Sequence, residues 1–327
     1  MTKNVRFGKA EGRRTEITKN QRKEIRDMYL KLAEEARMRA EELSHLENIS
    51  SVIREQYLKE LADELSEKAK QISTSIESKV VQNMKAVSME VVKENQDWLL
   101  SVGIRISGAF SYVPNDVVEL LVSGKLYKGN WTFSKAIWKD SEKISADLYS
   151  IVARGVANQK STYEIAKDLE RYVNPRARKS WSWSKVYPNT RKKIDYNAQR
   201  LARTLIQHSY QESFVRTTKN NPFFESYKWL ISNSDRVCPI CQDRATLDSY
   251  GLGPGMFPKN SLPMDHPNGM CSWVIVKSKS LQEVSNDLAN WVNGTGDKKL
   301  NSQIDKYIKD AYGKDFSNIV KSTVRKI

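Results

Sequence analysis

Cysteine is scarce in this chain: 327 residues hold three, and all fall between Cys238 and Cys271. An odd count so confined argues against a disulfide framework and suits thiols or metal ligands in a reducing compartment. Glycine and proline are missing from Arg13 to Val102, and ninety residues without either turn-former read as helix. Long apolar runs are missing too. No stretch reaches 18 apolar residues, so no membrane span is expected. The start, Met1-Thr2-Lys3-Asn4-Val5-Arg6-Phe7-Gly8-Lys9, has no apolar core after its positive charges, so synthesis and assembly in a cytoplasm are expected. Neither GxxxxGK[ST] nor GxGxxG occurs in a strand-to-helix setting, which leaves nucleotide hydrolysis without support. No small-molecule substrate is expected.

Positive charge is abundant. Lys and Arg number 54 against 39 Asp and Glu, a formal net charge of +15. Such an excess attracts phosphate backbones or other acidic surfaces over long range. It is densest in Arg176, Arg178, Lys179, Lys185, Arg191, Lys192 and Lys193, interleaved with Trp181, Trp183 and Tyr187. Cations take phosphates while rings take bases or sugar faces, so this stretch is the candidate nucleic-acid surface. An ordinary basic loop packing its Trp residues on neighbouring helices is the equally weighted alternative.

The helical regions show one apolar stripe each. Ile25, Met28, Leu32 and Ala36 recur at three to four residues, then Leu61, Leu65, Ala69, Ile72, Ile76, Val80, Met84, Val87 and Val91, the spacing of a helix face. A turn is expected between Ser44 and Ser51. A short helix follows Pro114, and Ser161-Thr162-Tyr163-Glu164 has the form of a capping box. Ile194, Ala198, Leu201, Leu205 and Phe214 mark a further helix, on which His208 reads as a satisfied core histidine. The tail returns to helix from Leu281, with a break at Asn293-Gly294-Thr295-Gly296.

Period-two alternation is seen around Tyr227, Trp229 and Ile231, and Ser272-Trp273-Val274-Ile275-Val276 is rich in β-branched residues; both read as strands. Between them lie about 40 residues, with a Gly and Pro-rich passage at Gly251 to Pro258 expected to be irregular. Cys238-Pro239-Ile240-Cys241 opens this connection, and His266 and Cys271 close it. Two thiols at CxxC spacing, a third thiol and an imidazole form a Cys3His donor set, the composition of a structural zinc site. An ion held by Cys238, Cys241, His266 and Cys271 would close the loop and staple a β element with little core of its own.

Enzyme readings fare worse. A zinc deaminase needs HxE and PCxxC; His45-Leu46-Glu47 fits the first, but Val237 precedes Cys238. An HNH-like nuclease could use His266 and Asn268, yet one histidine cannot easily be both zinc ligand and general base. Four protein ligands would also close the position a catalytic zinc keeps open.

In its middle and end the chain resembles the phage minor head proteins, the Mu F-like or head-morphogenesis family. The resemblance runs through Tyr127-Lys128-Gly129, Phe133-Ser134-Lys135-Ala136-Ile137-Trp138, the capped helix from Lys160 to Leu169, and Ala198 to Thr204 with its Arg-Thr pair. It closes on Val237-Cys238-Pro239-Ile240-Cys241 and Met264-Asp265-His266-Pro267-Asn268-Gly269-Met270-Cys271, and covers about 150 residues. One departure stands out: the family commonly closes with His-Pro-x-Cys-x-Cys, and Gly269 holds the place of the first of those cysteines, which brings in Asp265 as a substitute donor. The resemblance implies a non-enzymatic structural protein of the virion head, portal-associated, meeting portal protein, scaffold or capsid protein and phage DNA, and helping procapsid assembly or DNA packaging and delivery. The alternatives are a metal-dependent DNA-acting enzyme and a non-viral nucleic-acid-binding protein.

The fold class expected is mainly α: long N-terminal helices, a helical middle domain, and a small two- or three-stranded β element with a CxxC…HxxxxC loop. The expected divisions are a long-helix region at 1–110, a head-morphogenesis domain at 111–277 with its metal-binding β element at 226–277, and a helical tail at 278–327.

Overall fold

The computed structural model describes residues 4–45, 50–104, 108–127, 129, 131–177, 194–232 and 237–312. Among them are nine helices and one four-stranded antiparallel sheet, so the fold is mainly α with a small β element, as the sequence predicts. The two longest helices are α1 (Gly8–Ser44) and α2 (Ser51–Ser101). The break falls between Ser44 and Ser51, where the apolar pattern lapses. Among the described residues no helix is long and apolar enough to cross a membrane.

The chain divides into two compact units, each gathered from separated stretches. The first takes Met1–Ile17, Gln82–Leu121 and Thr204–Ile327; the second takes Thr18–Val81 and Val122–Arg203. The sequence boundaries near residues 110 and 277 both fall inside the first unit.

The second unit is helical. Its parts of α1 and α2 bury Ile25, Tyr29, Leu32 and Ala36, and Leu61, Leu65, Ala69, Ile76 and Val80, at the spacing that defines one helix face. To these it adds α4 (Phe133–Ala157) and α5 (Thr162–Val173). Ser161 caps α5: Glu164 N donates to its Oγ at 3.2 Å while Ser161 N donates to the Glu164 carboxylate at 2.8 Å, the reciprocal bonds of the capping box. Gly155 lets α4 approach α5, since a Cβ there would meet Ile165 Cγ1 at 2.5 Å. Buried acids in this unit have nearby partners. Asp147 accepts from Tyr172 Oη at 2.9 Å and from Lys143, and Asp168 accepts from Lys160 at 2.6 Å.

In the first unit the sheet has strand order β1-β4-β2-β3, with β1 (Asn4–Val5), β2 (Ser226–Leu230), β3 (Met256–Pro258) and β4 (Ser272–Val276). The expected strands are β2 and β4, in register with Trp229 opposite Trp273 and Leu230 opposite Ser272. Two further strands join them. β1 is only two residues, too short for any periodicity to reveal, and pairs Asn4 with Val276 and Val5 with Ile275. β3 lies within the Gly and Pro-rich passage expected to be irregular, and pairs with β2 through Ser226–Pro258, Tyr227–Phe257 and Lys228–Met256. Pro258 is tolerated there because β3 is an edge strand.

Over this sheet lies the C-terminal half of α6 (Tyr196–Thr218). Tyr210 stacks on Trp273 with centroids 5.7 Å apart, Phe214 meets Tyr227 at 5.5 Å, and Trp229 meets Trp273 edge-on at 5.5 Å. Phe7 adds a T-shaped contact to Phe214 at 5.2 Å. Each fully buried ring is worth roughly 1.5–3 kcal/mol of hydrophobic stabilisation, and these rings form the core that supports the cysteine loop. The connection from β2 to β4 also carries α7 (Pro239–Thr246), so the long loop read from the sequence is partly regular. The remaining helices are α3 (Val113–Val122), α8 (Leu281–Val292), which stops at the expected Asn293 break, and α9 (Lys298–Tyr312).

Candidate metal centre

Cys238 is the N-cap of α7, with extended backbone and Pro239 at the first helical position. Proline suits that position because its missing N–H would have had no helical partner. The helix then turns Cys241 back toward Cys238, and Cys241 N lies 3.4 Å from Cys238 Sγ. The CxxC spacing is thus realised as a helix start.

The other two donors come from the far end of the connection, just before β4. His266 Nε2 lies 3.2 Å from Cys238 Sγ, and Cys271 Sγ lies 3.3 Å from Cys241 Sγ. Ligand atoms of Cys238, Cys241 and His266 all fall within 4.8 Å of one another, as do those of Cys241, Asp265 and Cys271. Cys241 is common to both groups. A tetrahedral zinc with S at about 2.3 Å and N at about 2.0 Å sets its donors roughly 3.5–3.8 Å apart, so the two closest pairs need widen by only a few tenths of an ångström. The structure thus brings together all four donors singled out in the sequence, in a cluster that could hold a metal ion.

The imidazole is prepared for that role. His266 Nδ1 lies 3.0 Å from the Pro267 carbonyl; with the proton on Nδ1, the Nε2 lone pair faces Cys238, the arrangement by which metal-bound histidines are oriented. Cys241 and Cys271 are buried. Burial first, and then the neighbouring Cys271 and Cys238, pushes the Cys241 thiol up; burial likewise raises Cys271, against an opposing hydrogen bond with Cys241. A metal taking them as thiolates displaces protons.

Asp265 organises the loop. Its buried carboxylate accepts from Gln207 Nε2 at 2.8 Å and Cys271 N at 3.2 Å through Oδ2, and from His266 N at 2.9 Å through Oδ1. Two of those donors belong to the backbone of proposed ligands, so the carboxylate sets where both stand. The same side chain accounts for Gly269. A Cβ at 269 would lie 2.3 Å from Asp265 Oδ2 and 2.4 Å from its Cγ. Where the resemblance would put a cysteine, this chain fills the space with a carboxylate.

A buried polar stripe on α6 completes the surroundings, and the sequence reading missed it. Thr204, Gln207, His208 and Gln211 follow one another at helical spacing and are all buried. Thr204 Oγ1 accepts from Asn268 N at 2.9 Å, His208 Nε2 bonds the Asp265 carbonyl at 3.0 Å, and Gln211 Oε1 accepts from Asp265 N at 2.7 Å. Asn268 has φ 68°, a conformation Asn tolerates better than most residues, and the Thr204 bond holds it there. Burial depresses His208 below the usual histidine range, which keeps it neutral. The available signal was the run Thr204-Leu205-Ile206-Gln207-His208-Ser209-Tyr210-Gln211, polar at i, i+3, i+4 and i+7 in a helix otherwise read as apolar.

The candidate nucleic-acid surface fares differently. Arg176 is exposed, with its backbone N bonded to Asn174 Oδ1 at 2.9 Å. Arg178, Lys179, Lys185, Arg191, Lys192 and Lys193 lie outside the described residues. Comparison of the chain with protein-family models, with curated proteins and with solved structures gives no match in any of the three.

Proposed function

We propose that the chain is a structural, non-enzymatic minor head protein of a tailed phage, and that zinc bound by Cys238, Cys241, His266 and Cys271 staples its β element. The observation that carries the staple is the convergence of four donors from both ends of the β2–β4 connection. Four protein ligands leave no open position for water, which favours a structural over a catalytic ion. The head assignment rests on the ordered series of sequence resemblances, and the +15 charge agrees with contact to packaged DNA. In this reading the chain joins the head in the host cytoplasm, near the portal, and meets portal protein, scaffold or capsid protein and DNA. Zinc would supply cross-linking alone, while Asp265 and the α6 stripe hold the loop that presents the ligands.

Two measurements test this. Elemental analysis of the purified chain should find one zinc per chain, and His266→Ala should lose the zinc and the folded β element together; a His266→Ala chain that stays folded but loses a DNA-cleaving activity of the parent would establish a nuclease instead. Quantitative mass spectrometry of purified phage particles should find the chain at a fixed low copy number, and its absence from them would overturn the head assignment.

A further inference from the structure

Arg14, on the first turns of α1, is 2% exposed, yet among the described residues it has no carboxylate partner. Its Nη1 donates to Gln207 Oε1 at 2.9 Å and to the Cys271 carbonyl at 2.8 Å, and its Nη2 approaches the Met270 carbonyl at 3.4 Å. Its guanidinium lies 4.7 Å from the Tyr210 ring centroid. Among the described residues Arg14 Nε is buried with no hydrogen-bond partner. The nearest acid along the chain, Glu11, interacts with Arg14 electrostatically but hydrogen-bonds Arg6 at 2.9 Å and Ser272 Oγ at 2.9 Å instead. Asp265 is reached only through the Gln207 amide, which donates to its carboxylate at 2.8 Å.

A buried cation whose hydrogen-bond partners among the described residues are all neutral is costly, because its desolvation is offset only by charges at longer range. Besides Glu11 and Asp265, neither of which it bonds, the groups that could offset it are the ligands themselves. A divalent ion bound by three thiolates and a neutral imidazole has a formal charge of −1, and Arg14 touches the carbonyl of Cys271, one of those ligands. We propose that Arg14 is the charge-compensating and positioning residue of the metal centre, and that through it the bound ion fastens the N-terminal segment Asn4–Ile17 onto the sheet. This rests on the zinc reading above.

Two further tethers make the segment a unit. β1 pairs with β4, the strand that begins directly after Cys271, and Glu11 Oε1 accepts from Ser272 Oγ. Arg14, Glu11 and β1 thus follow the chain from Met270 to Val276 in order. Losing the ion would remove the compensating charge at Cys271 and would loosen the one tether that contacts a ligand. By linkage, the factor by which zinc strengthens docking of the segment equals the factor by which docking strengthens zinc binding.

The test uses the full chain, with hydrogen–deuterium exchange of residues 10–17 in zinc-loaded and chelator-stripped protein, and zinc affinity measured by competition with a chromophoric chelator. Stripping should accelerate exchange in 10–17 by about tenfold or more, while α5 changes less than about twofold, the size of a coupling of this kind. Arg14→Gln should still bind one zinc, roughly tenfold more weakly, and Arg14→Lys, which keeps the charge, should recover most of that loss. Zinc bound one-to-one with no change in 10–17 overturns the inference, and so does equal acceleration in α5. Equal weakening in Arg14→Lys and Arg14→Gln removes the charge from the argument and overturns it as well. A parent chain that binds no zinc overturns the zinc reading itself, a result separable from all of these.

Discussion

The two units settle buried charge in different ways. In the second unit the buried acids are mostly answered by residues on the same or the next helix, Lys143 and Tyr172 for Asp147 and Lys160 for Asp168, with Asn197 for Asp140 the longer-range exception. In the first unit the corresponding network joins Arg14, Gln207, Asp265 and Cys271, residues spread over most of the chain. Local pairs form whenever their helices form. A network of distant partners exists only when the whole surrounding fold exists, and closing it costs loop entropy that something must offset. A metal ion bridging both ends of the β2–β4 connection is suited to do so.

The sharpest way to break the contrast is to remove the shared donor. Cys241→Ser should abolish stoichiometric zinc binding and, at free zinc a thousandfold above the parent's Kd, cost about 4 kcal/mol of stability. Thermal unfolding with and without zinc measures this, and hydrogen exchange should locate the loss in 226–276 ahead of 133–173. A variant that keeps the parent's zinc-dependent stabilisation would remove the ion from the account of the first unit.

Paired glycine substitutions come next. Gly269→Ala and Gly155→Ala each force a methyl into occupied space, against Asp265 in the first unit and Ile165 in the second. Overpacking of this kind costs about 1–3 kcal/mol. Both variants should therefore lose similar stability, but only Gly269→Ala should also weaken zinc, because the displaced carboxylate holds the backbone of His266 and Cys271. Equal zinc affinity in the two would mean that Asp265 does not position the ligands.

How much of this could be read beforehand follows the same division. Helix faces, the Ser161 cap, the break after Ser44 and strands β2 and β4 were legible because the cause of each lies within a few residues. The four donors were legible because cysteine is so confined. β1 was not, since Asn4 and Val5 become a strand only by finding Val276 and Ile275. Nor was β3, whose Gly and Pro neighbours argue for a loop until β2 supplies a partner. The Arg14–Cys271 contact is a fact of three-dimensional proximity with no spacing to betray it, and the Gly269–Asp265 exclusion, though between residues only four apart, depends on how the loop folds back. The α6 polar stripe lies between these cases: its period was present, but its meaning depended on what covered it.

A smaller effect sharpens the comparison in the second unit. Tyr172→Phe removes one partner of Asp147 while Lys143 remains. The expected cost is about 1 kcal/mol in denaturant unfolding, with zinc affinity unchanged.

The smallest effect concerns acid. Burial alone would raise the Glu11 carboxyl, but hydrogen bonds from Arg6 and then Ser272 outweigh it and hold the carboxyl below its usual value. A depressed folded-state value means that the ionised group contributes stability above the unfolded value, near 4.5, and loses it as pH falls through the folded one. The stability difference between the parent and Glu11→Gln, roughly 0.5–1 kcal/mol for a partly exposed pair, should be constant above about pH 5.5 and shrink below 4.5. Glu164 in the second unit is also depressed, by the Ser161 backbone N–H first and its hydroxyl second, but it is fully exposed. Solvent screens it, so Glu164→Gln should show the same sign with a shallower dependence. Chemical denaturation of both variants from pH 3.5 to 7 measures the two slopes, and a steeper one for Glu164 would mean that the tether of the N-terminal segment to Ser272 is the weaker of the two.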